Sequence, residues 1–190
     1  PAYPAPDLVR EAATLLSQAK RPLLLAGRGS RSLEAWNNRI ALAEALDARV
    51  WSSLRTSAAF PSDHPLHAGT PIKFVNDFVI DELRSSDVIL SLDWIDLGGL
   101  LKQAWKTETV SAKIIQASVD VQLHNGFSMD HLGLPAVDLN LLADPDAATA
   151  ALLAELRAMR PTRAHESTVA RASSRAPATP STSSGDGIGV

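Results

Sequence analysis

The sequence predicts an α/β fold, a three-layer sandwich in which helices cover both faces of a parallel sheet of five or six strands. Segments with apolar residues at helical spacing alternate with short, uniformly apolar runs, which are typical of strands buried on both faces. Strands separated by helices imply right-handed crossovers and therefore a parallel sheet. Residues 160–190 contain no Leu, Phe, Trp or Tyr. We therefore predict one folded domain over residues 1–159 and a disordered tail or linker over 160–190.

The first quarter of the chain predicts a helix, a strand, a second helix and a second strand. Residues 7–20 carry apolar side chains at helical spacing behind Asp7, which suits a helix start. Residues 22–27 form an apolar run that ends in glycine, as expected of a buried strand. A second amphipathic helix follows from 33 to 46, and 49–52 predict a short strand.

The middle of the chain begins with a long irregular connection. Residues 53–71 contain three prolines and a glycine, and a loop of this length inside a domain is usually functional. A helix is predicted over 74–83 and a strand over 87–93, with an aspartate at each end of the strand. Asp96 is then placed to cap a helix that runs to Trp105.

The last part predicts two strands and a closing helix. Residues 113–118 form an apolar strand, and a glycine-containing loop then leads to a short strand over 136–139. Asp144 followed by Pro145 predicts a capped helix start, and this helix ends near Met159.

Composition limits the functional classes. The chain has 190 residues, of which 45% are hydrophobic and 21% are charged, as in an ordinary globular domain. A net charge of −3 gives no basic surface for nucleic acid, and no apolar run approaches the ~20 residues that cross a bilayer. The absence of cysteine fits a reducing compartment, so we expect a cytoplasmic protein. The first residue is Pro1, which suggests a piece of a longer protein.

A glycine-containing turn is the first candidate site. Gly27 and Gly29 lie between the first strand and the second helix, where glycines let backbone N–H groups approach a pyrophosphate. Only two of the three glycines of a dinucleotide fingerprint are present, so a tight strand-to-helix turn is an equal interpretation. The second strand ends in 51–53 without the acid that binds a ribose in NAD sites, which disfavours NAD.

Polar residues at strand ends form the second candidate. Asp93, Asp120 and Asp138 follow or close three predicted strands, so all three are expected at one edge of a parallel sheet, where carboxylates could accept from ribose or adenine groups. Capping of the following turns is the simpler role for each. Thr56 and its two neighbours in the long loop are candidates for phosphate contacts, and Trp94 for stacking on a base.

No catalytic residue and no metal-binding set is predicted. His64 and His67 flank a proline, and His124 and His131 lie in a later loop, without the spacing that is diagnostic of a metal site.

The order of several segments resembles the central domain of thiamine diphosphate-dependent enzymes of the acetolactate synthase, oxalyl-CoA decarboxylase and benzoylformate decarboxylase type. The segments are RPLLLAGRG (21–29), RVWSSLRTSAAFPSDHPLHAG (49–69), SSDVILSLD (85–93), AKIIQASVD (112–120) and ADPDAATAALLAEL (143–156). This resemblance covers roughly residues 8–158 and implies a Rossmann-like domain between two others. An N-terminal domain would supply the glutamate that activates the cofactor, and a C-terminal domain would bind diphosphate and Mg²⁺.

The resemblance also implies ligands and residues. In such enzymes the central domain binds FAD or coenzyme A through the ADP part, or is structural. By position, Gly27, Gly29, Thr56, Asp93 and Asp120 match an adenine-nucleotide site. The tail segment 185–187 (GDG) opens like the family's magnesium motif, but the chain ends before the asparagine that the motif requires.

The function expected from the resemblance is that of a central domain in a decarboxylase or carboligase acting on a 2-keto acid or an acyl-CoA. The parent would add a thiazolium ylid to a carbonyl and expel CO₂ or ligate a second carbonyl. It would form a homo-oligomer, a dimer or tetramer, and this chain alone would be inactive. The alternatives are a stand-alone adenine-nucleotide-binding module and a purely structural domain without ligand.

Overall fold

Five parallel strands form the central sheet of the described chain. In this computed structural model, residues 1–56, 58–72, 74–120 and 133–159 are described. The strands are β1 (Pro22–Ala26), β2 (Arg49–Ser52), β3 (Val88–Leu92), β4 (Lys113–Ser118) and β5 (Leu139–Leu142). Their order is β2-β1-β3-β4-β5, with every neighbouring pair parallel. The predicted α/β class is confirmed, with five strands.

Helices cover both faces of this sheet. They are α1 (Pro6–Gln18), α2 (Leu33–Leu46), α3 (Asp77–Ser85), α4 (Leu97–Trp105) and α5 (Pro145–Met159). Helix α5 packs against α1 and α2 on one face, and α3 packs against α4 on the other. Pro1–Met159 form one compact unit. None of the helices in the described ranges is long and apolar enough to span a membrane.

Two hydrophobic cores explain why β1 and β3 have no polar alternation. All five residues of each strand are buried. Leu24 and Ala26 pack with α1, α2 and α5, whereas Leu23 and Leu25 pack with α3 and α4. A strand between two layers of helices needs apolar side chains on both faces, so it reads as a continuous apolar run.

Three predicted elements begin at a different residue in the structure. Helix α3 starts at Asp77 and not at 74, because the Asn76 side chain caps it by accepting from the Val79 N–H at 3.0 Å. The last strand runs from Leu139 to Leu142, although the sequence predicted 136–139. Its pairing with β4 places Leu139 beside Ile115. Helix α1 likewise begins at Pro6 and ends at Gln18, two residues before the predicted end.

Asp138 lies at the opposite edge of the sheet from the one predicted. Because β5 begins after it, Asp138 precedes the strand and lies at the amino edge. Its carboxylate accepts from the Ile114 N–H at 2.9 Å and from Lys113 Nζ at 2.6 Å. Burial alone would raise the pKa of Asp138, but these two donors outweigh it and lower the pKa. The prediction that Asp138 shares an edge with Asp93 and Asp120 is therefore wrong.

Asp87 joins two chain segments at the same amino edge. Its carboxylate oxygens accept from the backbone N–H groups of Lys20 and Arg21, at 2.7 and 3.0 Å. These bonds hold the entry to β1 beside the entry to β3. Burial alone would raise the pKa of Asp87, but the backbone N–H donors outweigh burial and lower the pKa below its usual value.

Asp87→Asn should reduce the free energy of unfolding near neutral pH. It should also make that free energy decrease less as the pH is lowered. The folded pKa of Asp87 lies below the unfolded one, so its stabilisation is complete above the unfolded pKa and is lost as the pH falls through the folded pKa. Urea unfolding between pH 2 and 7 measures this for the wild type, Asp87→Asn and Asp63→Asn, an exposed loop control. We expect a loss of about 1 to 2 kcal/mol at pH 7 for Asp87→Asn only. Equal pH profiles for all three proteins would contradict the role of Asp87.

Candidate functional site

The strand order reverses between β1 and β3, and this switch point is where open α/β sheets bind ligands. From β1 the chain passes outward to β2, then returns to place β3 on the other side of β1. The described residues that directly follow β1, β3 and β4 therefore lie at the carboxyl edge. Three of the predicted site residues, Gly27, Asp93 and Asp120, lie there.

Arg28 lies at the centre of the switch point, although sequence reasoning did not select it. Its Nε and Nη2 contact the two carboxylate oxygens of Asp93 at 2.7 and 3.0 Å, and Nη2 also contacts Asp120 at 2.5 Å. The Ser118 hydroxyl donates to Asp93 at 2.5 Å and accepts from the Asp120 N–H at 2.8 Å. We call Arg28, Asp93, Ser118 and Asp120 the switch-point cluster. It joins the ends of β1, β3 and β4.

The two aspartates of the cluster differ in how far their side chains are exposed to solvent. The Asp93 side chain is only 9% exposed, whereas the Asp120 side chain is 40% exposed and that of Arg28 46%. Burial alone would lower the pKa of Arg28, but its hydrogen bonds to Asp93 and then Asp120 raise it. Asp93 is thus a buried carboxylate whose charge is balanced by the Arg28 guanidinium and which also accepts a hydrogen bond from the Ser118 hydroxyl.

Gly27 is required by the close approach of two strand ends. A Cβ at this position would overlap the backbone carbonyl of Asp93. The Gly27 N–H donates to the carbonyl of Leu92, and the Arg28 N–H donates to that of Asp93, both at 3.0 Å. Both N–H groups therefore extend the pairing of β1 with β3, and neither is left to bind a phosphate.

Gly29 makes room for a second ion pair. Arg39 is buried, and its Nη1 contacts an oxygen of Asp146 at 2.5 Å. A Cβ on Gly29 would lie 2.8 Å from this Nη1 and 3.2 Å from the Asp146 oxygen. The other Asp146 oxygen accepts from the Ser30 N–H at 2.6 Å. The Ser30 N–H of the glycine turn thus already donates to a carboxylate of the same chain.

Thr56 belongs to a turn after β2. Its N–H and its hydroxyl both donate to the carbonyl of Ser53, at 3.1 and 3.2 Å. Among the described residues, no hydrogen bond connects Thr56 with the switch-point cluster. Ser57, which was also a candidate for phosphate contacts, lies outside the described residues.

The two histidines of the long connection have packing roles. His67 is buried, pairs through Nε2 with the Ser52 hydroxyl at 2.9 Å and stacks on Phe60. Burial, and then the charge of Arg49, lower the pKa of His67. His64 contacts Phe60 edge-on. Within the ranges that the structure covers, no three His, Asp or Glu residues are placed to hold a metal ion. His124 and His131 lie outside those ranges.

A cleft of about 170 Å³ opens between the β2–α3 connection and the start of α4. Arg55, Phe74, Trp94, Asp96 and Gln103 are among the residues that line it. Trp94 is buried, so it forms part of the wall and does not present a free ring face for a base. The cleft combines an apolar wall with polar groups of both charges.

Comparison with known proteins identifies a family. Residues 9–152 match the family model described as "Thiamine pyrophosphate enzyme, central domain". A sulfoacetaldehyde acetyltransferase of Rhodobacter capsulatus is 34% identical over 164 residues, which cover 82% of this chain and 26% of the relative. A second one, of Roseovarius nubinhibens, is 39% identical over 60% of this chain and 19% of its own length. An acetolactate synthase of Mycobacterium avium is 30% identical over 59% of this chain and 18% of its own length.

Solved structures share the fold. A benzoylformate decarboxylase from Polynucleobacter necessarius superposes with a TM-score of 0.56 at 24% identity, over 80% of this chain and 27% of its own. A putative thiamin diphosphate-dependent enzyme from Mycobacterium smegmatis gives 0.57 at 20% identity, over 81% and 28%. The chain thus spans about a quarter of the length of these proteins. The resemblance expected from the sequence is confirmed, and the chain belongs to the thiamine pyrophosphate enzyme family, in which it corresponds to the central domain.

Proposed function

We propose that this chain is the structural central domain of a thiamine diphosphate-dependent enzyme that transfers or ligates an acyl unit. Relatives named for acetyl transfer to or from sulfoacetaldehyde and for acetolactate synthesis support acyl chemistry on a small carbonyl compound. The identity of 34% over 82% of the chain favours sulfoacetaldehyde as the substrate over the 2-keto acid or acyl-CoA expected from the sequence.

One observation carries the structural role. The polar groups at the switch point hydrogen-bond other groups of the same chain. A dinucleotide site needs backbone N–H groups for the pyrophosphate and a carboxylate for the ribose. Here the N–H groups of Gly27, Arg28 and Ser30 already donate to carbonyl or carboxylate oxygens of the protein. Asp93 accepts from Arg28 and from a serine hydroxyl. In this arrangement the residues do not fit the ADP part of FAD or coenzyme A.

An adenine-nucleotide site is the rival proposal. It would use Gly27, Gly29, Thr56, Asp93 and Asp120, and its support is the position of three of them at the switch point. A nucleotide that hydrogen-bonds Asp93 must compete with the Arg28 guanidinium, which contacts both Asp93 oxygens, and one that uses Oδ2 of Asp120 must compete with the same guanidinium. This competition is the physical ground on which we prefer the structural role.

The same proposal covers the cofactor, the flanking domains and the oligomer of the full-length enzyme. When bound in the parent enzyme, thiamine diphosphate would supply the carbon nucleophile for the substrate carbonyl, and none of the described residues is assigned to hold it. We assign thiamine diphosphate and Mg²⁺ to N- and C-terminal domains outside these 190 residues, in a cytoplasmic homo-oligomer. The described residues would contribute a rigid support, because both edges of the sheet are fixed by carboxylates that bind across strand ends.

A ligand titration separates the structural role from the rival. The 190-residue chain should show no thermal shift and no heat of binding with ADP, FAD, coenzyme A or thiamine diphosphate. A ligand at 100 times its Kd would stabilise the fold by about 2.7 kcal/mol, which a melting curve resolves. A shift with ADP, FAD or coenzyme A that disappears in Asp120→Ala would establish the nucleotide site and overturn the structural proposal.

A substrate assay on the full-length enzyme tests the acyl-transfer proposal. Purified protein with thiamine diphosphate and Mg²⁺ should consume sulfoacetaldehyde faster than 2-keto acids such as pyruvate, and omission of thiamine diphosphate should abolish consumption. Faster turnover of a 2-keto acid would replace the substrate assignment. Equal rates with and without thiamine diphosphate would refute the proposed chemistry.

A further inference from the structure

Part of the connection between β2 and α3 lies along the outer edge of the sheet. This part is the segment 66–72, and it pairs with β2 through two parallel bridges. The Ala68 N–H donates to the carbonyl of Val50, and the Ile72 N–H donates to that of Ser52, both at 2.8 Å. Since β2 is the last strand of the sheet on this side, the segment covers an edge that would otherwise be free to pair with other chains.

His67 attaches this segment to buried groups of the domain. Its Nε2 lies 2.9 Å from the Ser52 hydroxyl oxygen, and its ring stacks on that of Phe60 with the centroids 6.2 Å apart. All three residues are buried, and Phe60 belongs to the core that α1 and α2 cover. We call Ser52, Phe60 and His67 the His67 cluster. The cluster thus connects the segment both to the end of β2 and to the hydrophobic core.

A cation lies beside the His67 cluster on β2. The Arg49 Nη2 donates to the carbonyl of Ala68, the residue directly after His67, at 3.3 Å. The Nε of Arg49 is 3.5 Å from a carboxylate oxygen of Glu82 on α3. Burial, and then the charge of Arg49, lower the pKa of His67 below its usual value. A protonated His67 would therefore be a second cation near Arg49, in a site that water hardly reaches.

The charged groups on the α2 side of the cluster are engaged elsewhere. His64 lies with its Nε2 3.4 Å from an oxygen of Glu44, and Arg39 pairs with Asp146. Asp63, in the same connection, is exposed. Within the described ranges, no carboxylate forms an ion pair with the imidazole of the His67 cluster. The site is thus built for a neutral imidazole, because a buried charge without a counter-charge is costly.

We propose that the His67 cluster is a pH-sensitive switch that holds the segment 66–72 on the edge of β2. The neutral imidazole keeps the segment in place. Protonation adds a positive charge beside Arg49 without a partner, and the segment leaves the edge. Ile72 also lines the cleft described above, so release removes part of the cleft wall. The four strand pairs of the sheet do not use this segment and persist.

The direction of the switch with pH follows from the pKa of His67. This pKa is lower in the attached state than the usual value of about 6.5. The stabilisation of the attached state is therefore complete above that usual value. It is lost as the pH falls from there through the pKa of the attached state, because the released segment binds the proton more tightly. Acidification should release the segment, and a return to neutral pH should restore it.

Hydrogen–deuterium exchange of this chain between pH 7.5 and 5.5 tests the proposal, with each rate corrected for the intrinsic pH dependence of exchange. The protection factors of the Ala68 and Ile72 amides should fall about fivefold or more as the pH is lowered. Amides of β3 and β4 should keep their protection. In His67→Gln, whose side chain is neutral throughout this range, the protection factors of Ala68 and Ile72 should not depend on pH.

The matched control is His64→Gln, which removes the other histidine of the same connection and leaves His67 in place. This variant should retain the fall in protection that the wild type shows. An NMR titration of the His67 imidazole in the wild type adds a measurement that requires no variant to fold. It should give a pKa below the usual value.

Four results would overturn the proposal. Constant protection of Ala68 and Ile72 in the wild type would show that no release occurs. An equal fall in His67→Gln, or no fall in His64→Gln, would assign the pH dependence to another group. A parallel loss of protection in β3 would show that the whole domain unfolds. A His67 pKa at or above its usual value would remove the driving force for release.

Discussion

The ion pair between Arg28 and Asp93 is the interaction on which the carboxyl edge of the sheet depends. Transfer of a carboxylate from water into a protein costs several kcal/mol unless a counter-charge and hydrogen bonds compensate it. Asp93 receives both, a forked guanidinium from the end of β1 and a hydroxyl from the end of β4. Since these groups come from three central strands, the charge of one buried aspartate fixes the relative positions of the strand ends.

This arrangement explains why a fold that commonly binds nucleotides is proposed here as a support. Recognition of a pyrophosphate or a ribose requires donors and acceptors that the protein leaves open. At this switch point the Arg28 guanidinium forms ion pairs with both carboxylates, and the Ser30 N–H donates to an aspartate of α5. At the other edge Asp87 and Asp138 bind backbone N–H groups of neighbouring segments. Polar groups therefore hold the sheet at both ends, while apolar packing holds its faces.

Local sequence signals sufficed for much of the fold. The uniformly apolar runs located β1 and β3, and the caps at Asp96 and Asp144 were correct because each side chain bonds an N–H two or three residues ahead. The strand β5 was misplaced because its four residues, at the edge of the sheet, are fixed by pairing with β4 and carry little pattern of their own. The error at Asp138 followed directly from that shift.

The central residue of the site could not be found by the same means. Arg28 lies 65 residues from Asp93 and 92 from Asp120, so no local spacing connects them. The available signal was a cation between the two glycines of the turn, combined with aspartates after two other strands. Gly27 and Gly29 were candidates either for phosphate binding or for a tight turn, and a Cβ on them would meet the carbonyl of Asp93 and the ion pair of Arg39 with Asp146. Glycine in a turn indicates a close approach, but the sequence does not say what approaches.

The most direct test of this account is a double-mutant cycle on Arg28→Met and Asp93→Asn, measured by urea unfolding of the 190-residue chain. Each single variant should lose about 1 to 3 kcal/mol, between the values for exposed and fully buried ion pairs. The double variant should lose less than the sum, with a coupling of about 1 kcal/mol or more. Additive losses, or no loss on Arg28→Met, would contradict the claim that this ion pair fixes the ends of β1 and β3 at the switch point.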